Sequence, residues 1–343
     1  MRILFLSNIP TPYQIDFWSS VQQSAAVSAV FLAHTEPRRE WHISLPEWAC
    51  IISSTRSSAP HQILLHLSNF KPDVIVIGGY RLPLVWYVVL FALFNHIRFF
   101  FWLEKPLPAT RYKSLFRRLT WRITLPLADG VLCIGQSAQR IYSPYARSTL
   151  NLPYSIDVAR YSRRRFNSYH IPLKFLFVGQ YTERKGLVPL LKAFSSFSPE
   201  LLTLSLAGSG NLASLVHDYV STFSHIHDYG FVQPTELPYL LASHDVFILP
   251  SRHDGWAVVV LEAMAAGLPV ISTIDTGSFE DLLSTTGVGQ RCEPTTASIK
   301  AAVSHYIGQP SGIRREGNLC YDILCSSDSN VLNSSKKLLH YLS

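Results

Sequence analysis

Asp254 and Glu262 are two carboxylates whose setting points to chemistry. They lie in PSRHDGWAVVVLEAMAAGLPVIST (residues 250–273), bounded by the apolar, β-rich runs DVFILP and PVIST. Run length and the Gly-Leu-Pro breaker give strand, loop, helix, strand, with the helix expected from about Ala257 to Ala266. Glu262 is its one charged residue among Ala, Val, Leu and Met, so the helix should be buried on nearly every side. A carboxylate there is costly unless something hydrogen-bonds to it. Asp254 sits on the preceding loop, and Glu262 lies about 7 to 8 Å further along the axis at about 1.5 Å per residue. Between them Gly255 permits close backbone approach, and Trp256, Ala257 and Val258 offer unpaired amides at a helix start, where an anion is favoured. That set suits a nucleotide sugar: amides for phosphate, and an acceptor carboxylate on either side for hydroxyls. The spacing alone equally fits a helix cap at Asp254 and a semi-buried Glu262 helped by the helix dipole.

A second basic and glycine-bearing stretch is KFLFVGQYTERKGLVPLLKAF. It reads as a strand over Lys174 to Val178, a loop over Gly179 to Gly186 and a helix starting at Leu187, which aims Arg184 and Lys185 at the end of a strand. Two cations beside a helix start make a diphosphate clamp, because charge and free amides favour the same anion. An ordinary solvated basic loop is the competing reading.

These stretches need a framework of parallel strands, and the chain supplies one. With 343 residues, 48% apolar and 15% charged, it is globular and long enough for two domains. Strand-like runs at Arg2 to Ser7, Ala29 to Ala33, Asp73 to Ile77, Phe99 to Leu103 and Gly130 to Ile134 alternate with helical patterns. Ligands in open α/β sheets sit beyond the carboxyl ends of strands, which singles out Pro12 and Tyr13 after the first strand, Gly79 and Tyr80 after the third, and Glu104 and Lys105 after the fourth. The apolar segment Leu82 to Phe94 is too short to cross a bilayer, which needs about twenty residues, and is expected as a buried helix. Thr110 to Leu125 mixes Arg111, Lys113, Arg117, Arg118 and Arg122 with Tyr112, Leu115, Phe116, Leu119 and Trp121 and has no acid, as interfacial helices do. A helix with one core face and one solvated face fits it as well. From Gly287 regularity weakens, and Val331 to Ser343 reads as a final helix.

Net charge of +7 favours acidic partners. Five scattered cysteines without a CxxC pair or Cys/His cluster read as reduced thiols of a cytosolic protein, with no metal site. MRILFLSNIP is too short an apolar run for a signal peptide. No GxGxxG fingerprint, Walker loop, GxSxG elbow or nucleic-acid motif is present, so dinucleotide and nucleic-acid binding are disfavoured.

The order acid, Gly, aromatic, small residue, then L-E-A-M-A-x-G-x-P-V-I resembles the glutamate-x7-glutamate block of retaining glycosyltransferases of family 4. Gly179, Lys185 and Gly186 match that family's G-R-x-x-x-x-K-G pattern, and NLPYSIDVARY (residues 151–161) resembles its P-x-G-V-D-x-x-x-F element. Asp254 stands where the family usually has Glu, and Gln180 where it has Arg. NIPTPY, GGY and the E-K-P after a strand resemble a bacterial polysaccharide-building branch. The resemblance implies a GT-B fold, two Rossmann-like α/β/α domains facing each other across a cleft: residues 1–155 for the acceptor, 156–328 for the nucleotide sugar, and a helix at 329–343 that in such proteins commonly returns to the first domain. It implies transfer of a sugar, with retention and without a divalent metal or other cofactor, from a UDP-, GDP- or ADP-linked donor to a glycan or lipid-linked hydroxyl.

The resemblance gives Asp254 the sugar hydroxyls and Glu262 the ribose hydroxyls. Gly179, Gln180, Arg184, Lys185 and the amides of Gly255, Trp256, Ala257 and Val258 would hold the phosphates, and Gly230, Phe231 and Val232 the base. Pro12, Tyr13, Gly79, Tyr80 and Glu104 are the acceptor-side candidates. The reading places the chain in the cytoplasm, peripheral on the inner face of the plasma membrane through residues 110–125. The departures at Asp254 and Gln180 leave as the alternative a catalytically weak or inactive GT-B protein that binds nucleotide sugar or membrane surface only. On this reading Lys185→Ala lowers kcat/KM far more than it changes folding.

Overall fold

The computed structural model describes residues 1–34, 41–79, 83–108, 110–161, 171–284 and 286–343. The acceptor candidate Tyr80 lies outside them. The chain divides into a first unit, Met1–Tyr154 with Ser334–Ser343, and a second, Ser155–Asn333. Each carries one parallel sheet, as strands alternating with helices require.

The first unit contains β1 (Arg2–Ser7), α1 (Pro12–Gln22), β2 (Ala26–Phe31), β3 (Ala49–Ile51), α2 (Ala59–Phe70), β4 (Val74–Gly78), α3 (Pro83–Phe94), β5 (Arg98–Glu104), α4 (Arg111–Thr124), β6 (Gly130–Ile134), α5 (Gln136–Tyr142) and β7 (Thr149–Asn151). Its strands lie in the order β3-β2-β1-β4-β5-β6-β7, so the direction of winding reverses between β1 and β4. The apolar runs of β1 and β4 pair in parallel register from Ile3↔Val74 to Ser7↔Gly78 and are buried along nearly their whole length, as a sheet covered on both faces demands. One face packs on α2, α3, Trp121 of α4 and Tyr142 of α5. On the other, Phe5, Phe17, Trp18 and Trp102 meet ring to ring at centroid distances of 4.8 to 6.2 Å.

α3 corrects one expectation. Val85, Val88, Val89 and Ala92 are buried, but Tyr87, Leu90 and Phe94 are 47%, 51% and 81% exposed. Its apolar residues exceed what one sheet face can cover.

In the second unit, β8 (Leu173–Val178), α6 (Leu187–Phe194), β9 (Leu202–Ala207), α7 (Ala213–Thr222), β10 (Ile226–Asp228), α8 (Leu237–Ala242), β11 (Val246–Leu249), α9 (Val258–Ala265), β12 (Val270–Ser272), α10 (Gly277–Leu282) and β13 (Gln290–Arg291) precede α11 (Thr296–Gly308), α12 (Ser311–Ser326) and the start of α13 (Val331–Leu342). The strand order is β10-β9-β8-β11-β12-β13, with the reversal between β8 and β11. The residues after Gly287 are therefore not irregular: two long helices follow. α12 buries Ile313, Gly317, Cys320 and Leu324, a helical stripe. Two of those four positions carry small side chains, so the apolar period is faint in sequence.

From Ser334 the last helix belongs to the first unit. Leu338 and Leu342 are fully buried, each worth about 2 kcal/mol of apolar transfer. Ser335 Oγ meets Ser20 Oγ at 2.9 Å, and Tyr341 OH meets Ser148 Oγ at 2.7 Å.

Gly317 lets α12 touch the turn that follows α9, for a Cβ there would lie 2.0 Å from the carbonyl oxygen of Gly267. Backbone cannot yield as a flexible side chain can. Gly317→Ala should destabilise the second unit by about 1–3 kcal/mol, read as a lower denaturation midpoint.

Candidate active site

Where winding reverses, the loops leaving neighbouring strands diverge to opposite faces and open a crevice at the carboxyl ends. In the second unit those strands are β8 and β11, paired through Phe175↔Val246 and Leu176↔Phe247. The loop after β8 carries Gly179 to Gly186, and the loop after β11 carries Pro250 to Ala257. The first tightens into a 3-10 turn over Glu183–Lys185 and closes on Gly186 at φ +73°. A Cβ on Gly186 would lie 2.0 Å from the Pro250 carbonyl oxygen, so the close approach of the two loops depends on that glycine.

The approach joins Lys185 to Asp254, residues 69 apart in sequence: the Lys185 ammonium donates to Asp254 Oδ2. Arg184 Nη1 donates to the His253 carbonyl at 2.9 Å and lies 3.8 Å from Asp254 Oδ2. Gly179 stands beside them, since a Cβ there would lie 3.7 Å from Lys185 Cε. Lys185 is only 8% exposed. Burial alone would raise the Asp254 carboxyl, but the field and hydrogen bond of Lys185, then Arg184 and His253, outweigh it and hold the pKa below its ordinary value. Asp254 is therefore a carboxylate at neutral pH, an acceptor only. Two cations facing one anion leave the cluster about one positive charge.

Beyond Asp254 the chain is clamped by the segment after β12. Asp254 N donates to the Asp275 carbonyl at 3.1 Å, Gly277 N to the Asp254 carbonyl at 3.3 Å and Ser278 N to the Trp256 carbonyl at 3.0 Å. A Cβ on Gly277 would lie 2.4 Å from the Gly255 carbonyl. Every one of these bonds uses a carbonyl of the Asp254 loop or the Asp254 amide. The amides of Gly255, Trp256, Ala257 and Val258 have no acceptor among the described residues. Gly255 and Trp256 are buried. Buried donors without a partner are costly, and a run of them at a helix start has the geometry to accept an anion.

α9 begins at Val258, one residue later than expected, because Ala257 is in the left-handed region at φ 61°, ψ 72°. An alanine held there costs about 1–2 kcal/mol relative to right-handed backbone. Glu262, half-buried on α9, accepts a hydrogen bond from Tyr161 OH at 2.9 Å.

The loops expected at the base lie side by side. Gly208 N donates to the Gly230 carbonyl at 2.7 Å, and a Cβ on Gly208 would lie 2.0 Å from the Gly179 carbonyl. Asp228 Oδ1 accepts from Tyr181 OH at 2.6 Å and from Gly230 N at 2.8 Å, which fixes the turn before Phe231 and Val232. Both of those residues and Gln180 are half-buried.

In the first unit, Pro12 opens α1 behind a Thr11 cap whose Oγ1 accepts from Gln14 N at 3.4 Å. The Tyr13 ring packs on Tyr154 at 4.6 Å. A Cβ on Gly79 would meet nothing within 4 Å, and the exposed Glu104 gives its carbonyl to Tyr142 OH at 3.0 Å. These candidates share the carboxyl ends of β1, β4 and β5. Sequence reasoning passed over Tyr161, His253 and the Asp275–Ser278 clamp. The clamp's one signal was a Gly-Ser turn, and Tyr161 had none beyond the place of an aromatic in a linker element. Among the described residues no cluster of His, Cys, Asp or Glu could hold a metal ion, and no helix is long and apolar enough to cross a membrane.

Residues 172–307 match the family described as glycosyl transferases group 1. The putative colanic acid biosynthesis glycosyltransferase WcaL of Escherichia coli strain K12 is 29% identical over 178 residues, 48% of this chain and 42% of that protein. The chain thus matches less than half the length of this relative. Over the whole chain, Anabaena Alr3699/HepE, solved in complex with UDP, superposes with a TM-score of 0.79 at 15% identity, covering 100% of this chain and 99% of that one. Sucrose-phosphate synthase from Thermosynechococcus elongatus does so with a TM-score of 0.79 at 14% identity, covering 100% and 98%. The fold is GT-B, built from two parallel-sheet α/β domains.

Lys185→Ala, expected to lower kcat/KM far more than it changes folding, also removes the hydrogen-bonded cation of Asp254. That variant leaves the part-buried Asp254 carboxylate with Arg184, 3.8 Å away, as its remaining cation and without its hydrogen-bond donor, and should lose about 1–3 kcal/mol near neutral pH. The loss should shrink as pH falls towards about 4, because without Lys185 burial is opposed only by Arg184 and His253, so the Asp254 pKa rises above that of the parent protein. In the parent protein the folded pKa is depressed, so the pair's contribution is present above the unfolded value of about 3.9 and lost as pH falls through the folded one. Urea denaturation of both proteins between about pH 4 and 8 measures this; a loss independent of pH would contradict the pairing. Separately, Ala257→Gly should relieve left-handed strain and raise stability by up to about 1 kcal/mol, the gain being offset by extra freedom in the unfolded chain.

Proposed function

We propose, from the premise that residues 172–307 are a glycosyl transferases group 1 domain, that this chain transfers a sugar with retention from a nucleotide diphosphate sugar to an acceptor hydroxyl. The observation that carries the proposal is the run of unpartnered amides from Gly255 to Val258 beside a cluster of net positive charge. Such donors suit a diphosphate in the ground state and suit it better as it departs, because negative charge grows on the leaving oxygens.

The roles follow from the contacts. An ammonium has three N–H donors, so Lys185 can keep Asp254 and still reach a phosphate oxygen. Asp254 offsets much of the lysine's charge, which leaves Arg184, with a 39% exposed side chain, as the better source of net positive charge for the diphosphate. Asp254 has lone pairs left for sugar hydroxyls, and one methylene fewer than glutamate suits an acid already bound to Lys185. Glu262, oriented by the hydrogen bond from Tyr161, is the carboxylate assigned to the ribose hydroxyls. Gly179 and Gln180 flank the phosphates, and the turn at Gly230, Phe231 and Val232 approaches the base.

In the reaction the bond from the anomeric carbon to the β-phosphate oxygen breaks, and its electron pair leaves on the diphosphate. The acceptor oxygen bonds to the same face of the sugar, and its proton passes to the departing phosphate oxygen. No metal is assigned to the step: the two cations and the amides take the charge a divalent ion would otherwise take.

UDP-glucose is the first donor to test, since HepE, which shares the fold, was solved with UDP and with UDP-glucose. The colanic acid relative directs the choice of acceptor to cell-surface polysaccharide or glycolipid intermediates, with the first unit supplying the acceptor side through Pro12, Tyr13, Gly79 and Glu104. Cytoplasmic synthesis at the membrane's inner face fits such an acceptor.

Saturation-transfer NMR with UDP-, GDP- and ADP-glucose in the presence of EDTA should show one nucleotide bound, and the sugar released or transferred should keep its anomeric configuration. Arg184→Ala should lower kcat/KM by about 10–100-fold, and Glu262→Gln should chiefly raise the donor KM. Binding without hydrolysis or transfer of any donor would make the chain a nucleotide-sugar binder. Absence of binding by all three would remove the proposal.

A further inference from the structure

Tyr181 joins the ends of three neighbouring strands. It lies in the loop after β8, one residue beyond Gln180, and its backbone is bound to the loop after β9. Tyr181 N donates to the Ser209 carbonyl at 2.8 Å, and Leu212 N donates to the Tyr181 carbonyl at 3.0 Å. Two glycines let that loop lie against it: a Cβ on Gly208 would come 3.0 Å from Tyr181 Cε1, and one on Gly210 would come 2.5 Å from the Tyr181 carbonyl oxygen. The Tyr181 side chain is buried, and its hydroxyl reaches the end of β10, donating to Asp228 Oδ1 at 2.6 Å. The same oxygen accepts from Gly230 N at 2.8 Å. Since β10, β9 and β8 are adjacent and parallel, all three loops leave from one edge.

Core packing does not account for the hydroxyl. A phenylalanine would fill the same space, and a buried hydroxyl is costly unless it is bonded. Its partner is an exposed carboxylate, which water solvates about as well, so the bond adds little to the stability of the fold. Its effect is on geometry. Asp228 turns back to the amide two residues on, an Asx turn that leads into Gly230 at φ +63°. An exposed aspartate held by one weak contact swings readily into solvent and releases that amide, whereas the tyrosine keeps Oδ1 in place. Burial, then the hydrogen bond to Asp228 and its charge, push the Tyr181 hydroxyl far above its ordinary pKa, so it is a protonated donor at neutral pH.

We propose that Tyr181 is a positioning residue for the nucleobase, acting through Asp228. It ties the turn at Gly230, Phe231 and Val232 to the loop that carries Gln180, Arg184 and Lys185, and so sets the separation between base and diphosphate. The proposal rests on reading the second unit as the donor site. Base and diphosphate are joined by a ribose of fixed reach, so a turn that drifts from the phosphate loop loses one contact while the other remains. Tyr181 thereby makes affinity for the base depend on a side chain that touches neither base nor phosphate.

The test compares the affinity of the full chain for UDP, GDP and ADP with that for the ribose diphosphate that lacks only the base. The wild type should bind one of the nucleotides at least about tenfold more tightly than the ribose diphosphate. Tyr181→Phe should lower that ratio about fivefold, the worth of one hydrogen bond, and leave ribose diphosphate binding and the denaturation midpoint unchanged. Asp228→Ala should do the same, and the double variant no more than either alone. Asp228→Asn, whose amide oxygen can accept both bonds, should keep most of the ratio. In turnover the Tyr181→Phe loss should appear as a raised donor KM at nearly constant kcat. A wild-type ratio near one for all three nucleotides would remove the reading of the base turn and this proposal with it. A ratio that survives Tyr181→Phe, or nucleotide and ribose diphosphate affinities that fall together, would overturn the positioning role and leave the donor site standing.

Discussion

The contact of Lys185 with Asp254 is the constraint around which the second unit is arranged. It exists because β8 and β11 are neighbours at the point where the sheet changes direction, so loops far apart in sequence leave the sheet side by side. It also needs Gly186, whose missing side chain leaves room for the Pro250 carbonyl. A lysine buried this deeply requires an anion, and an aspartate buried this deeply requires a cation. Each explains the other, and together they keep charge of both signs at the carboxyl ends of β8 and β11.

Around that pair the backbone is used as carefully as the side chains. The segment after β12 takes the Asp254 amide and the carbonyls of Asp254 and Trp256, and the amides from Gly255 to Val258 have no acceptor among the described residues. Ala257 is held in a backbone region that disfavours any residue with a Cβ. Strain and unmet donors at one place cost stability, and proteins tolerate both mainly where a ligand recovers the cost.

How much of this was legible in the sequence depends on how each feature is encoded. Continuous apolar runs such as Leu4–Leu6 and Val74–Ile77 announce strands of a buried parallel sheet, and their alternation with helices gives the fold class. The carboxylates Asp254 and Glu262 and the basic pair Arg184 and Lys185 stand out because they interrupt such runs. Their partners do not stand out, because partnership is decided by strand order: nothing local ties Tyr161 to Glu262, 101 residues on. The α12 stripe escaped because Gly317 and Cys320 pack by being small and not by being apolar. The outward face of α3 escaped because hydropathy counts residues without saying which side of a helix has a neighbour. Ala257 escaped because alanine is ordinarily the best of helix formers.

The path of the last helix bears on synthesis as well as on shape. Leu338, Leu342 and Tyr341 complete the core and hydrogen bonding of a unit whose first strand, β1, lies more than 300 residues earlier. As the chain emerges from the ribosome, the N-terminal half cannot finish folding until the entire second unit has been made and residues 334–343 follow it. A product cut short within the second unit leaves the first with an open apolar seam, a mark by which chaperones and proteases can tell it from a finished molecule.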